Sequence, residues 1–138
     1  MRVAAVFVPG KNRDKIREMA KSLARGIEAQ GHQVDIVDGS RDVNTKLTIY
    51  EYIAVGTEQT STFGGKIPDR VGQFLKESGI VGGKKSFAFV MKRPIGSTKA
   101  LSRLMKVMEQ EGMFLKLSEV FNSKEEAEEI GKRLKIGP

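Results

Sequence analysis

The chain has no cysteine, which excludes disulfide bonds, thiolate catalysis and zinc–thiolate sites together. Its one histidine, His32, argues against a histidine metal cluster or a Ser–His triad. His32 follows Gly31, just past a predicted helix, and reads as an exposed turn residue. No stretch approaches the roughly 20 apolar residues that span a bilayer. The N-terminal run Val3–Val8 is shorter than a signal-peptide core, lacks a cleavage-like end and reads as a first strand. A cytoplasmic location is therefore expected. The phosphate cradle Gly-x4-Gly-Lys-Ser/Thr is missing, as is a Gly-x-Gly-x-x-Gly turn after the first strand, so P-loop hydrolysis and a dinucleotide site of that type are set aside. Acidic residues are in deficit, 17 against 24 lysines and arginines.

What is present fits an ordinary folded protein. With 138 residues, 39% hydrophobic and 30% charged, the chain is expected to form one domain over 1–138 with a single real core. A net charge of +7 favours anionic partners: phosphorylated ligands, nucleic acid or an acidic protein. A solvated, lysine-rich surface accounts for the charge equally well.

The apolar pattern switches period regularly along the chain. Val3–Val8 is continuously apolar, as in a parallel strand covered on both faces. Ile16, Met19, Ala20, Leu23 and Ile27 recur at helical spacing, and Gly31 stops them. Gln33–Val37 gives a second, short strand. The polar stretch Asp38–Glu51 holds either a stunted helix or an irregular crossover. Tyr52–Val55 reads as the third strand and Ile67–Ser78 as a helix with Pro68 in its first turn. Ser86–Met91 is the fourth strand. Leu101, Leu104, Met105 and Met108 line a helix ended by Gly112, and Phe114–Phe121 is the fifth strand. Ser123 and Glu126 form a capping box for the last helix, whose other end gathers Lys132, Arg133 and Lys135. Strands alternating with helices imply parallel crossovers with helices on both faces.

Three strand-to-helix loops carry the candidate chemistry. The first, Pro9–Asp14, combines Gly10 with Lys11, Asn12 and Arg13 at a helix N-terminus, where free amides attract anions. A plain turn capped by Asn12 or Asp14 explains the same residues. The second loop offers hydroxyls at Thr57, Thr60, Ser61 and Thr62, a tight approach at Gly64 and Gly65, and Phe63, which either stacks on a planar ring or tucks against the core. The third, Lys92–Ser97, contributes Lys92, Arg93 and Gly96, with Ser97 as a helix cap. Together Lys11, Arg13, Lys66, Lys92 and Arg93 suggest an anion-binding cleft, with no catalytic residue and no metal ligand among them.

The stretch Tyr52–Thr57, the loop Glu58–Pro68, and Val71, Phe74 and Leu75 beyond it resemble the flavodoxins. In that family the third strand leads into a loop with threonine, an aromatic–glycine pair and a proline, and the next helix carries a Phe-Leu pair. The resemblance covers nearly the whole chain. It implies a three-layer α/β/α sandwich with a five-stranded parallel sheet in the order 2-1-3-4-5, its cleft at the switch between strands one and three. It also implies noncovalent binding of FMN, or a similar anionic ligand, for electron transfer with a redox partner protein, which the +7 charge of this chain makes an acidic one. Gly10–Arg13 would hold the phosphate, Thr57 and Thr60–Gly65 the ring edge and face, and Lys92–Gly96 the far edge.

Three departures stand against the cofactor. Flavodoxins carry Ser/Thr-x-Thr-Gly-Asn-Thr in loop one, and this chain keeps one glycine and Asn12 but none of the hydroxyls. Loop three has two cations and no aromatic residue, and the chain is basic where flavodoxins are acidic. The rival reading is a flavodoxin-like binding or regulatory module that has lost the FMN site. A receiver domain, of the same fold, is set aside because Gly56-Thr57 and Gly10-Lys11 stand where its acidic residues belong. Nucleic-acid binding is disfavoured, since the basic helices lack interleaved aromatics and a known motif.

Overall fold

The computed structural model describes residues 1–137; Pro138, the last residue of the expected domain, lies outside the described residues. Five strands form one parallel sheet in the order β2-β1-β3-β4-β5. They are β1 (Arg2–Val8), β2 (Gln33–Asp38), β3 (Tyr52–Thr57), β4 (Lys85–Met91) and β5 (Phe114–Phe121). Four helices alternate with them: α1 (Arg13–Glu28), α2 (Arg70–Glu77), α3 (Ser97–Gln110) and α4 (Lys124–Arg133). No described helix is long and apolar enough to cross a membrane.

The continuous apolar runs form the central strands because both faces of the sheet are covered. Successive side chains of β1 point opposite ways: Ala4, Val6 and Val8 meet Phe74, Leu75 and Leu104 of α2 and α3, while Val3 and Phe7 meet Leu23, Ile27 and Ala127 of α1 and α4. Phe87, Phe89 and Phe121 pack together on the α1/α4 face, with ring centroids 5.2–5.9 Å apart. Glycines let α1 and α4 approach closely. A Cβ at Gly26 would stand 2.1 Å from the Glu128 carbonyl oxygen, and one at Gly131 would stand 2.4 Å from that of Leu23.

Several local expectations shift. Between β2 and β3 the chain makes turns, not a helix. The polar residues there have no apolar stripe to dock, so the crossover is irregular. Helix α2 begins at Arg70, after Pro68 instead of around it. Ser97 is not the cap of α3: Gly96, in the left-handed region at φ 96°, holds that place, and the Ser97 hydroxyl instead accepts from the Arg93 amide and donates to the Arg93 carbonyl. At α4 the Ser123 side chain accepts from the Glu126 amide as expected, but the Glu126 carboxylate takes its bond from the Asn122 side chain. His32 is half-buried on its turn, with Nδ1 3.3 Å from the chain's amino terminus.

Candidate functional site

The parallel register sets where the loops emerge. Val8 lies beside Thr57 and Thr57 beside Val90, so the loops after β1, β3 and β4 leave the same end of the sheet side by side. This is the carboxyl end, at the switch where β1 stands between β2 and β3, the usual ligand crevice of an open α/β sheet. Lys11, Gln59–Phe63 and Arg93–Ile95 enclose a cavity of about 300 Å³ there.

One corner of this crevice is already filled. The Glu58 side chain, fully buried, turns from the end of β3 under loop one. One of its oxygens accepts from the Gly10 amide at 2.9 Å and from the Asn12 amide at 3.0 Å; the other reaches the Asn12 amide at 3.2 Å. Arg93, crossing from loop three, donates to the same carboxylate at 3.4 Å. A buried carboxylate is tolerated only with such charge-assisted partners. Loop one is built around it, since a Cβ at Gly10 would stand 3.0 Å from Glu58 Cγ. The loop-one amides expected to receive a phosphate, together with Arg93 from the loop expected at the far edge of the ring, are thus joined to a carboxylate of the chain itself.

The neighbouring cation is also committed. Arg13 pairs with Asp38 at the end of β2 and donates to the Ser40 hydroxyl at 2.9 Å. It braces α1 against the β2 turn instead of facing a ligand. Asn12 caps α1, its side chain accepting from the Lys15 amide.

Loops two and three make the other corner. Thr57 is buried and its hydroxyl donates to the Val8 carbonyl, so it ties β3 to β1 and is closed to a ligand. Thr60 donates to the Lys66 carbonyl, and Ser61 accepts from the Lys66 amide, which folds loop two back on itself. Gln59 is buried between the loops, its side-chain NH₂ donating to the carbonyls of Ser61 and Ile95. Its Oε1 is buried between the loops with no hydrogen-bond donor among the described residues. Gly96 makes this packing possible. Its left-handed backbone suits glycine alone, and a Cβ there would stand 2.4 Å from Gln59 Oε1 and 2.5 Å from the Phe63 carbonyl oxygen. Gly65 is buried against Lys99 and Ala100, while Gly64 lies in the open.

Phe63 neither tucks against the core nor lines a closed slot; it is 64% exposed, and Ile95 across from it is 54% exposed. Lys11, Thr62 and Lys92 are exposed as well. The two buried tyrosines do not serve this crevice. Tyr50, at the opposite end of the sheet, has its phenol pushed up to about 12 by burial and by donation to Asp35, against a lowering by Arg2.

Sequence reasoning passed over Glu58 and Gln59, the two residues that organise the crevice. A signal for Glu58 existed. It is an acidic residue directly after a wholly apolar strand, among loops otherwise supplied with cations, and a strand running two residues further than predicted carries it inside.

No protein-family model matches the chain, and no curated protein sequence matches it. Solved structures do. A flavodoxin from the domain Archaea superposes with a TM-score of 0.74 at 22% identity, over 96% of this chain and 95% of the other. Oxidised flavodoxin 1 from Bacillus cereus gives 0.70 at 17% identity, over 95% of each chain. The flavodiiron protein from Giardia intestinalis gives 0.63 at 15% identity, this chain spanning 35% of that one. The chain has the flavodoxin-like fold in the expected strand order.

Proposed function

We propose that this chain is a flavodoxin-fold binding module whose phosphate subsite is closed by its own Glu58. The carrying observation is the Glu58 carboxylate seated on the Gly10 and Asn12 amides. An FMN phosphate does not fit this corner as it is folded. It needs the same donors, and two anions about 4 Å apart at a partly screened site repel by about 4 kcal/mol. Expelling Glu58 leaves a carboxylate that has lost three charge-assisted partners. The module keeps a small open recess between loops two and three, with Lys11 at its edge, suited to the edge of a planar or apolar group, and the amides that would anchor a phosphate are taken by Glu58. The absence of hydroxyls in loop one agrees with this reading, since a carboxylate needs only amides and a cation.

A second reading, noncovalent FMN binding for electron transfer, rests on that recess. Gln59 lines it and Phe63 stands exposed at its rim. FMN and riboflavin share a ring and differ by the phosphate, so their relative affinities separate the two readings. The closed subsite predicts that FMN binds no tighter than riboflavin and is lost on desalting. In Glu58→Ala, FMN gains about tenfold to a hundredfold over riboflavin, because hydrogen bonds to charged groups contribute about 1.5–3 kcal/mol and 1.4 kcal/mol is tenfold. Wild-type protein that purifies yellow with FMN, or prefers FMN a hundredfold, supports the second reading and overturns the first.

A further inference from the structure

The positive charge of the chain is concentrated in one segment. Between residues 78 and 108 there are seven lysines and arginines and no aspartate or glutamate, so this segment holds +7 while the 17 cations and 17 acids elsewhere cancel. A generally lysine-rich surface would spread its excess. Two of the seven lie at the far end of the sheet, Lys84 just before β4 and Lys85 as its first residue. Arg93 is joined to Glu58. The other four, Lys92, Lys99, Arg103 and Lys106, are exposed, and none of them pairs with a carboxylate among the described residues.

Helix α3 arranges them. Its apolar face, Ala100, Leu104 and Met108, is buried against the sheet. Lys99, Arg103 and Lys106 recur at helical spacing on the outside, where one face of the helix repeats every three to four residues. Lys66 of loop two stands across a groove of about 540 Å³ from Arg103 and Lys106, with Ile67, Pro68 and Val107 in its wall and Asp69 as its one acid. At the loop-three end the stripe meets Phe63 and Ile95, two large exposed apolar side chains beside Lys92 and Lys99.

We propose that this stripe, from Lys92 and Phe63 to Lys106, is the docking surface for an acidic protein. Unpaired charge of one sign attracts its complement and steers its approach. Exposed Phe63 and Ile95 supply the apolar centre that protein interfaces combine with a charged rim. Nucleic acid is the weaker match, because a single exposed aromatic provides no row of stacking platforms. The inference stands on the charge distribution and holds whether or not the crevice takes flavin.

The test uses fluorescein-labelled probes at about 0.15 M salt, where the Debye length of about 8 Å separates the two faces: a polyglutamate peptide with a central Phe-Leu pair, the same peptide without that pair, and an oligothymidylate of equal charge. The peptide with the Phe-Leu pair is expected to bind tightest. The double reversal Arg103→Glu/Lys106→Glu weakens it about tenfold. The same charge change on the opposite face, Lys21→Glu/Lys135→Glu, changes it by less than about twofold. Phe63→Ala weakens only the peptide that carries Phe-Leu. No binding of either peptide, equal losses from the two double reversals, or tighter binding of the oligothymidylate overturns the proposal, the last in favour of nucleic acid.

Discussion

The two corners of the crevice begin alike, each a parallel strand running into a loop and then a helix, and they finish in opposite ways. At the loop-one corner four strong donors have internal partners, the Gly10 and Asn12 amides and Arg93 holding Glu58 and Arg13 holding Asp38 and Ser40, while Lys11 is exposed at the edge. At the other corner Phe63, Ile95 and Lys92 face outward, and a buried amide oxygen of Gln59 has no donor. One fold thus carries a corner that is finished as structure and a corner left for something else to finish. Loops on a rigid sheet vary independently, and here a single buried carboxylate takes up the donors that an external anion would need.

That contrast is broken most severely at the seam between the loops. Gly96→Ala must relieve both a left-handed backbone and a collision with Gln59 and the Phe63 carbonyl. It is expected to cost about 3 kcal/mol in chemical denaturation; an unchanged midpoint would show that loops two and three are not packed as described. The closed corner comes next. Glu58→Ala strands two amides and is expected to lose about 2 kcal/mol. Inorganic phosphate should return part of that loss in the variant while leaving the wild type unmoved, as read by thermal unfolding with and without phosphate. The smallest effect is expected at the open corner, where Phe63→Ala should stay within about 0.5 kcal/mol of the wild type, as exposed substitutions do. A larger loss would mean that Phe63 supports the fold and is not held out for a partner.

Much of the architecture was legible because it rests on periodicity. Val3–Val8 and Ser86–Met91 are apolar throughout since both sheet faces are covered, and Ile16 to Ile27 repeat at helical spacing since α1 buries one side. The loops brought to one edge followed from the parallel order. What each loop residue does was not legible. Thr57 and Arg13 are the donor types a ligand needs, and they are equally the types that tie β3 to β1 and α1 to the β2 turn. Composition does not separate those roles; partners do, and the partners Val8 and Asp38 lie 49 and 25 residues away. Glu58 was overlooked for a related reason: a glutamate in a loop reads as solvated until a strand end and three donors surround it.

The proposed function has Glu58 already occupying the phosphate position. It is tested most directly by following the backbone amide signals of Gly10 and Asn12 by NMR while inorganic phosphate is added to the wild type and to Glu58→Ala. Both signals are expected to stay fixed in the wild type and to move saturably in the variant. Saturable movement in the wild type would show an open anion site and contradict it.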